Sequence, residues 1–159
     1  MSHKEIAVKM VLDRWSSSIK SFGSLINELS DEQLHREVAP GKNRGIYLLG
    51  HLIAVHDDML PILGLGERHC PGLYDPYVKA PDKTVELKET VAELRGIWFG
   101  QCNQLEQKFA KLSPLQWFEK HTIVAEADFT KEPHRNKLNV VLNRTTHLQY
   151  HMGQLQLLK

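Results

Sequence analysis

The chain has 159 residues, of which 42% are hydrophobic and 25% charged. That is enough for one domain over residues 1–159 with a sizeable core, needing neither disulfides nor metal merely to fold. A formal charge of +1 disfavours sequence-independent nucleic-acid binding. No apolar run approaches the ~20 residues of a membrane span, and no signal-peptide pattern opens the chain. The two cysteines, Cys70 and Cys102, form neither a CxxC motif nor a disulfide framework. The expectation is therefore a cytoplasmic protein with no membrane contact.

The first helix is predicted over residues 4–29, where Val8, Val11, Trp15, Ile19, Phe22, Ile26 and Leu29 recur every three or four positions. Ser30-Asp31-Glu32 then caps a short turn, and Ala39-Pro40-Gly41-Lys42 is a loop. A second helix over residues 43–60 carries a broad apolar surface of Ile46, Leu48, Leu49, Leu52, Ile53 and Val55, stopped by Pro61, Gly64 and Gly66. Residues 63–83, with Pro71, Gly72, Pro76 and Pro81, read as an extended crossover that packs through Leu73, Tyr74 and Tyr77.

The third helix is expected to open at Thr84 and end near Leu112-Ser113-Pro114, with Val91, Leu94, Trp98, Cys102, Leu105 and Phe109 inside. Residues up to Pro133 read as irregular, with a short turn over 114–118 and a locally extended Thr122-Ile123-Val124. The fourth helix, over residues 134–158, has the stripe Leu138, Val141, Leu142, Thr145, Leu148, Met152 and Leu155. The fold class is all-α, a four-helix bundle with a long crossover between the second and third helices. The segment 29–34 is echoed at 112–117, which is compatible with an internal duplication or with two similar capping needs.

Nine histidines are the compositional oddity. His147 and His151 are spaced i, i+4 on the fourth helix, so both imidazoles share one face and can reach one ion. With 9 histidines in 159 residues, roughly half of one such pair is expected by chance, so the pair alone also fits two surface histidines. His51 adds a third, amid Leu48, Leu49, Leu52 and Val55. Three inward-leaning histidines on two helices must find partners, either neighbouring side chains or a divalent transition metal. Without a glutamate as in HExxH, such a site has three imidazole ligands and open positions. His56 reads as a surface or entrance residue, and Asp57 and Asp58 as solvated.

Pro40-Gly41-Lys42, Leu49-Gly50-His51-Leu52 and the run His147-Leu148-Gln149-Tyr150-His151-Met152-Gly153-Gln154 resemble the DinB-like superfamily, as does the Leu-Ser-x-x-Gln-Leu turn at 29–34. The resemblance spans nearly the whole chain in order. It implies an up-down-down-up four-helix bundle and a homodimer. It also implies a divalent metal, zinc or nickel foremost, held by His51, His147 and His151. One departure is Asn43-Arg44-Gly45, where many members have Trp after Pro-Gly-Lys, so the substrate side of the pocket is expected to differ. Arg144 and Gln154 share the histidine face and can reach a neighbouring group or a substrate carboxylate.

Three functions follow. The first is a metal-dependent S-transferase in which a low-molecular-weight thiol, such as the bacillithiol used by some relatives, attacks a small-molecule substrate. The second is metal-dependent hydrolysis at the same histidines, which needs no thiol. The third is a non-enzymatic metal-binding or structural homodimer linked to stress.

Overall fold

The computed structural model describes residues 1–159, which form helices and turns and no β-strand. The first helix, α1 (His3–Glu28), opens on a reciprocal cap in which Ser2 Oγ accepts from the Glu5 amide and the Glu5 carboxylate accepts from the Ser2 amide. The five-residue α2 (Asp31–His35) uses the same device with Ser30 and Gln33. So does the echo. The Ser113 amide donates to Gln116 Oε1 at 2.8 Å and the Gln116 amide to Ser113 Oγ at 3.4 Å, leading into the 3-10 turn Gln116–Phe118. Each copy is followed by a sealed apolar side chain, Leu34 or Trp117. The repeated sequence is thus one capping device used twice.

The second long helix is split in two, α3 (Gly45–Asp57) and α4 (Met59–Leu63). Pro61 has no N–H to give the carbonyl of Asp57, and its ring crowds that carbonyl. The break therefore falls at Asp57–Asp58, and Pro61 sits in the first turn of α4, where no intrahelical donor is needed. Gly64, at φ 71°, closes α4 in the left-handed conformation that favours glycine. The expected extended crossover is instead wound into a 3-10 turn, Pro71–Leu73, and a π-helical turn, Asp75–Lys79.

The next helix, α5 (Val91–Phe109), starts seven residues later than the sequence pattern suggests. Thr90 and Glu93 form a reciprocal cap there, whereas Thr84 spends its hydroxyl on the Pro81 carbonyl. A short α6 (Glu126–Lys131) forms inside the stretch expected to be irregular, and Thr122–Val124 makes turns rather than a strand. The last helix, α7 (Lys137–Leu155), begins on Asn136, whose side chain accepts from the Asn139 amide. It ends in the 3-10 turn Gln156–Leu158.

The long helices pack around one another, α1 on α5 and α7, and α3 on the same two. One continuous core results, with Trp15, Phe22, Trp98, Trp117 and the leucines of α3 fully buried. Each such side chain is worth about 1.5–3 kcal/mol relative to an exposed one. Leu142, expected in the stripe of α7, is 47% exposed. Two further expectations change. Residues Gly45–Leu63 are long and apolar enough to cross a membrane, but 83% of that stretch is buried inside the fold. The broad apolar surface read on the second helix is likewise consumed by the chain's own core.

Candidate metal centre

Two helices and the crossover build the site. Along α3, the residues Arg44, Tyr47 and His51 lie on one face at i, i+3 and i+7. Each is pinned to the crossover. Arg44 forms a two-pronged ion pair with the sealed carboxylate of Asp82, and its amide donates to the same group at 2.7 Å. The Tyr47 hydroxyl donates to the Ala80 carbonyl at 2.8 Å, and His51 Nδ1 donates to the Tyr77 carbonyl at 2.8 Å. The crossover thus runs back along α3 and fixes the His51 ring. Arg44, in the motif that departs from the family pattern, belongs to this anchor.

Gly50 is part of the same construction. A Cβ at this position would lie 2.2 Å from the Tyr77 ring, so only glycine lets Tyr77 settle on α3 and bring its carbonyl to His51. The Gly-His pair read in the sequence therefore has a physical reason that periodicity does not show.

One ring nitrogen from each of His51, His147 and His151 lies within 4.8 Å of the other two, and the three residues are half-buried. His147 Nε2 lies 3.3 Å from His51 Nε2 and 3.0 Å from His151 Nε2. The His151 ring is oriented by its Nδ1–H, which donates to Gln154 Oε1 at 2.7 Å. With Nδ1 as the donor in His51 and His151, their Nε2 atoms carry lone pairs that face inward. Lone pairs facing at these distances repel unless a proton or a cation lies between them.

A neutral His147 can place its one ring hydrogen on Nε2 and donate to His151 Nε2, whereas a second proton on any of the three rings is disfavoured. Burial lowers the pKa of all three histidines, that of His147 to about 4, and the neighbouring histidines and Arg144 add to the effect at His147. Neutral imidazoles with converging Nε2 atoms, two of them oriented through Nδ1, are a donor set that a divalent transition metal accepts. The residues present fit a divalent metal. The third ring, His147, has a sealed Nδ1 without a partner.

The sequence match agrees with this geometry. The model of the DinB superfamily matches residues 14–155. The chain belongs to the DinB superfamily. None of the curated proteins matches it.

Other expected positions fall differently. His56 is not at the surface but fully buried, its ring 4.9 Å from Trp15 and 5.2 Å from Trp98, with neither nitrogen partnered. Trp15 of α1 and Trp98 of α5 close over this part of α3. Asp57 and Asp58 are also buried, not solvated. Asp57 accepts from the amides of His69 and Cys70, and Asp58 from Arg68. Neither carboxylate joins the three histidines. Gln154 lies beside the site, as its spacing suggested. The Tyr77 carbonyl was not foreseeable, because a backbone acceptor leaves no mark on the sequence.

Proposed function

We propose that this protein is a divalent-metal-dependent S-transferase in which His51, His147 and His151 hold the metal and a low-molecular-weight thiol is the nucleophile. The observation that supports the reading is the convergence of the Nε2 atoms of three half-buried histidines. When bound there, a divalent ion supplies the charge that lowers a thiol's pKa and stabilises its thiolate. The protein's own residues keep the ligands ready. Burial holds the three imidazoles neutral, the Tyr77 carbonyl aims His51, and Gln154 aims His151.

The nucleophile comes from the cosubstrate in this reading because the cysteines of the chain are poorly suited. Cys102 is buried in the core, and burial raises the pKa of Cys70, so both favour the protonated form. In the transfer, the thiol gives its proton to solvent, its sulfur bonds to the electrophilic carbon, and the leaving group departs with the electron pair of the bond that breaks. A homodimer in a reducing cytoplasm completes the proposal, its contact lying outside the α3 surface already used by the core.

Product analysis with and without added thiol tests it. Zinc- or nickel-loaded protein should form a thioether adduct only when thiol is present, and His51→Ala should abolish it. Turnover without thiol, yielding a hydrolysed product, would contradict transfer and favour the hydrolytic reading.

A further inference from the structure

Arg144 lies one helical turn before His147 and shares its face of α7 with His147 and His151, at i, i+3 and i+7. It is half-buried, yet it takes part in none of the ten ion pairs of the chain and makes no side-chain hydrogen bond. Its Nε is sealed from solvent and without a partner, while its terminal nitrogens are not among the sealed atoms. The guanidinium thus presents its open end to solvent and loses its hydration behind.

The surrounding groups do not neutralise it. His51, His56, Asp58, Tyr74 and His147 are within its electrostatic reach. The three histidines are held neutral by burial. The carboxylate nearest in charge, Asp58, is bound to Arg68 Nε at 2.5 Å, and the Arg68 guanidinium covers the Tyr74 ring at 4.4 Å. Asp58 is therefore already committed to Arg68 and leaves Arg144 without an ion-pair partner of its own. An unpaired, partly desolvated arginine costs stability unless a ligand supplies the missing charge.

We infer that Arg144 is the binding residue for a carboxylate of the substrate or thiol, on the same face of α7 as His147 and His151. A guanidinium fork matches a carboxylate with two parallel hydrogen bonds, and a partly dry setting strengthens them. The favoured ligand is a short molecule with a thiol or electrophilic carbon at one end and a carboxylate at the other. The inference deepens the transferase reading and rests on it for the thiol, though not for the carboxylate.

Two probes separate those parts. On zinc-loaded protein, calorimetry should show β-mercaptopropionate binding about 10- to 100-fold more tightly than mercaptoethanol, the range expected for a charge-assisted pair. Arg144→Gln should remove that preference and leave mercaptoethanol affinity unchanged. On metal-free protein, succinate should shift the Arg144 Nε–H resonance, identified by its absence in the variant. If neither thiol binds while succinate still shifts that resonance, the transferase reading falls and the carboxylate site stands. Equal affinity of the two thiols with no succinate shift would overturn the inference, as would inorganic phosphate shifting the resonance where succinate does not. Arg144→Gln should also keep or raise the thermal midpoint, because no partner is lost. A clear fall in that midpoint would mean a structural role and would overturn the assignment too.

Discussion

The two histidines of α3 stand five residues apart and meet opposite fates. His51 is half-open, its Nδ1 is held by the Tyr77 carbonyl, and its Nε2 faces two more imidazoles. His56 is fully buried between Trp15 and Trp98 with neither nitrogen engaged. Burial is the leading cause of a lowered pKa in both. The difference is what surrounds the neutral ring. Around His51 the fold supplies an acceptor on one side and two converging imidazoles on the other, which suits a ligand. Around His56 it supplies aromatic faces, which makes a core residue.

The largest effect that can break this contrast is on stability. His56→Ala should cost about 2–4 kcal/mol by leaving a cavity between the two tryptophans, while His56→Phe should restore most of that loss. Metal content should be unchanged in both. Chemical denaturation and elemental analysis of the two variants check this, and metal loss in His56→Phe would place His56 in the site.

The orienting groups of the centre should matter on a smaller scale. Gln154→Ala removes the acceptor for His151 Nδ1, and Gly50→Ala drives Tyr77 away from α3 and with it the acceptor for His51. Each should weaken zinc affinity about 10- to 100-fold, as losses of such outer groups do. A competition titration with a chromophoric chelator measures this. Undiminished affinity in both would show that ring orientation does not limit binding.

The smallest effect is on the pH dependence of stability. His56 stays neutral in the fold, well below its usual pKa of 6.5. The unfolded chain takes up a proton as pH falls below that value. The contribution is therefore fully present above pH ~6.5 and is lost as pH falls, at no more than about 1.4 kcal/mol per pH unit. In metal-free protein, His56→Phe should flatten the loss below pH ~6.5 by one proton. An unchanged slope would mean that His56 is protonated in the native state.

The same contrast shows what the sequence could and could not tell. The i, i+4 pair on α7 and a histidine amid leucines on α3 were enough to nominate His51, His147 and His151, because helical spacing and residue chemistry are local properties. The fate of His56 was not legible. Helical period places it away from His51, but only the packing of α1 and α5 shows that this side of α3 is closed to solvent. The late start of α5 was hidden because Val91 and its successors fit a helix beginning at either Thr84 or Thr90, and the reciprocal partner of Thr90, Glu93, decides the matter. The break at Asp58 follows from Pro61, but the sequence stripe ran through it.

The central claim is that three Nε2 atoms on α3 and α7 hold one metal ion. Elemental analysis of untagged protein, purified without chelator and then equilibrated with zinc or nickel, tests it most directly beside a His147→Ala/His151→Ala double variant. The account predicts near one equivalent per chain in the wild type and almost none in the variant, with helical content preserved. Equal metal in both proteins, or none in the wild type after equilibration, would contradict it and leave the three histidines as residues of the core.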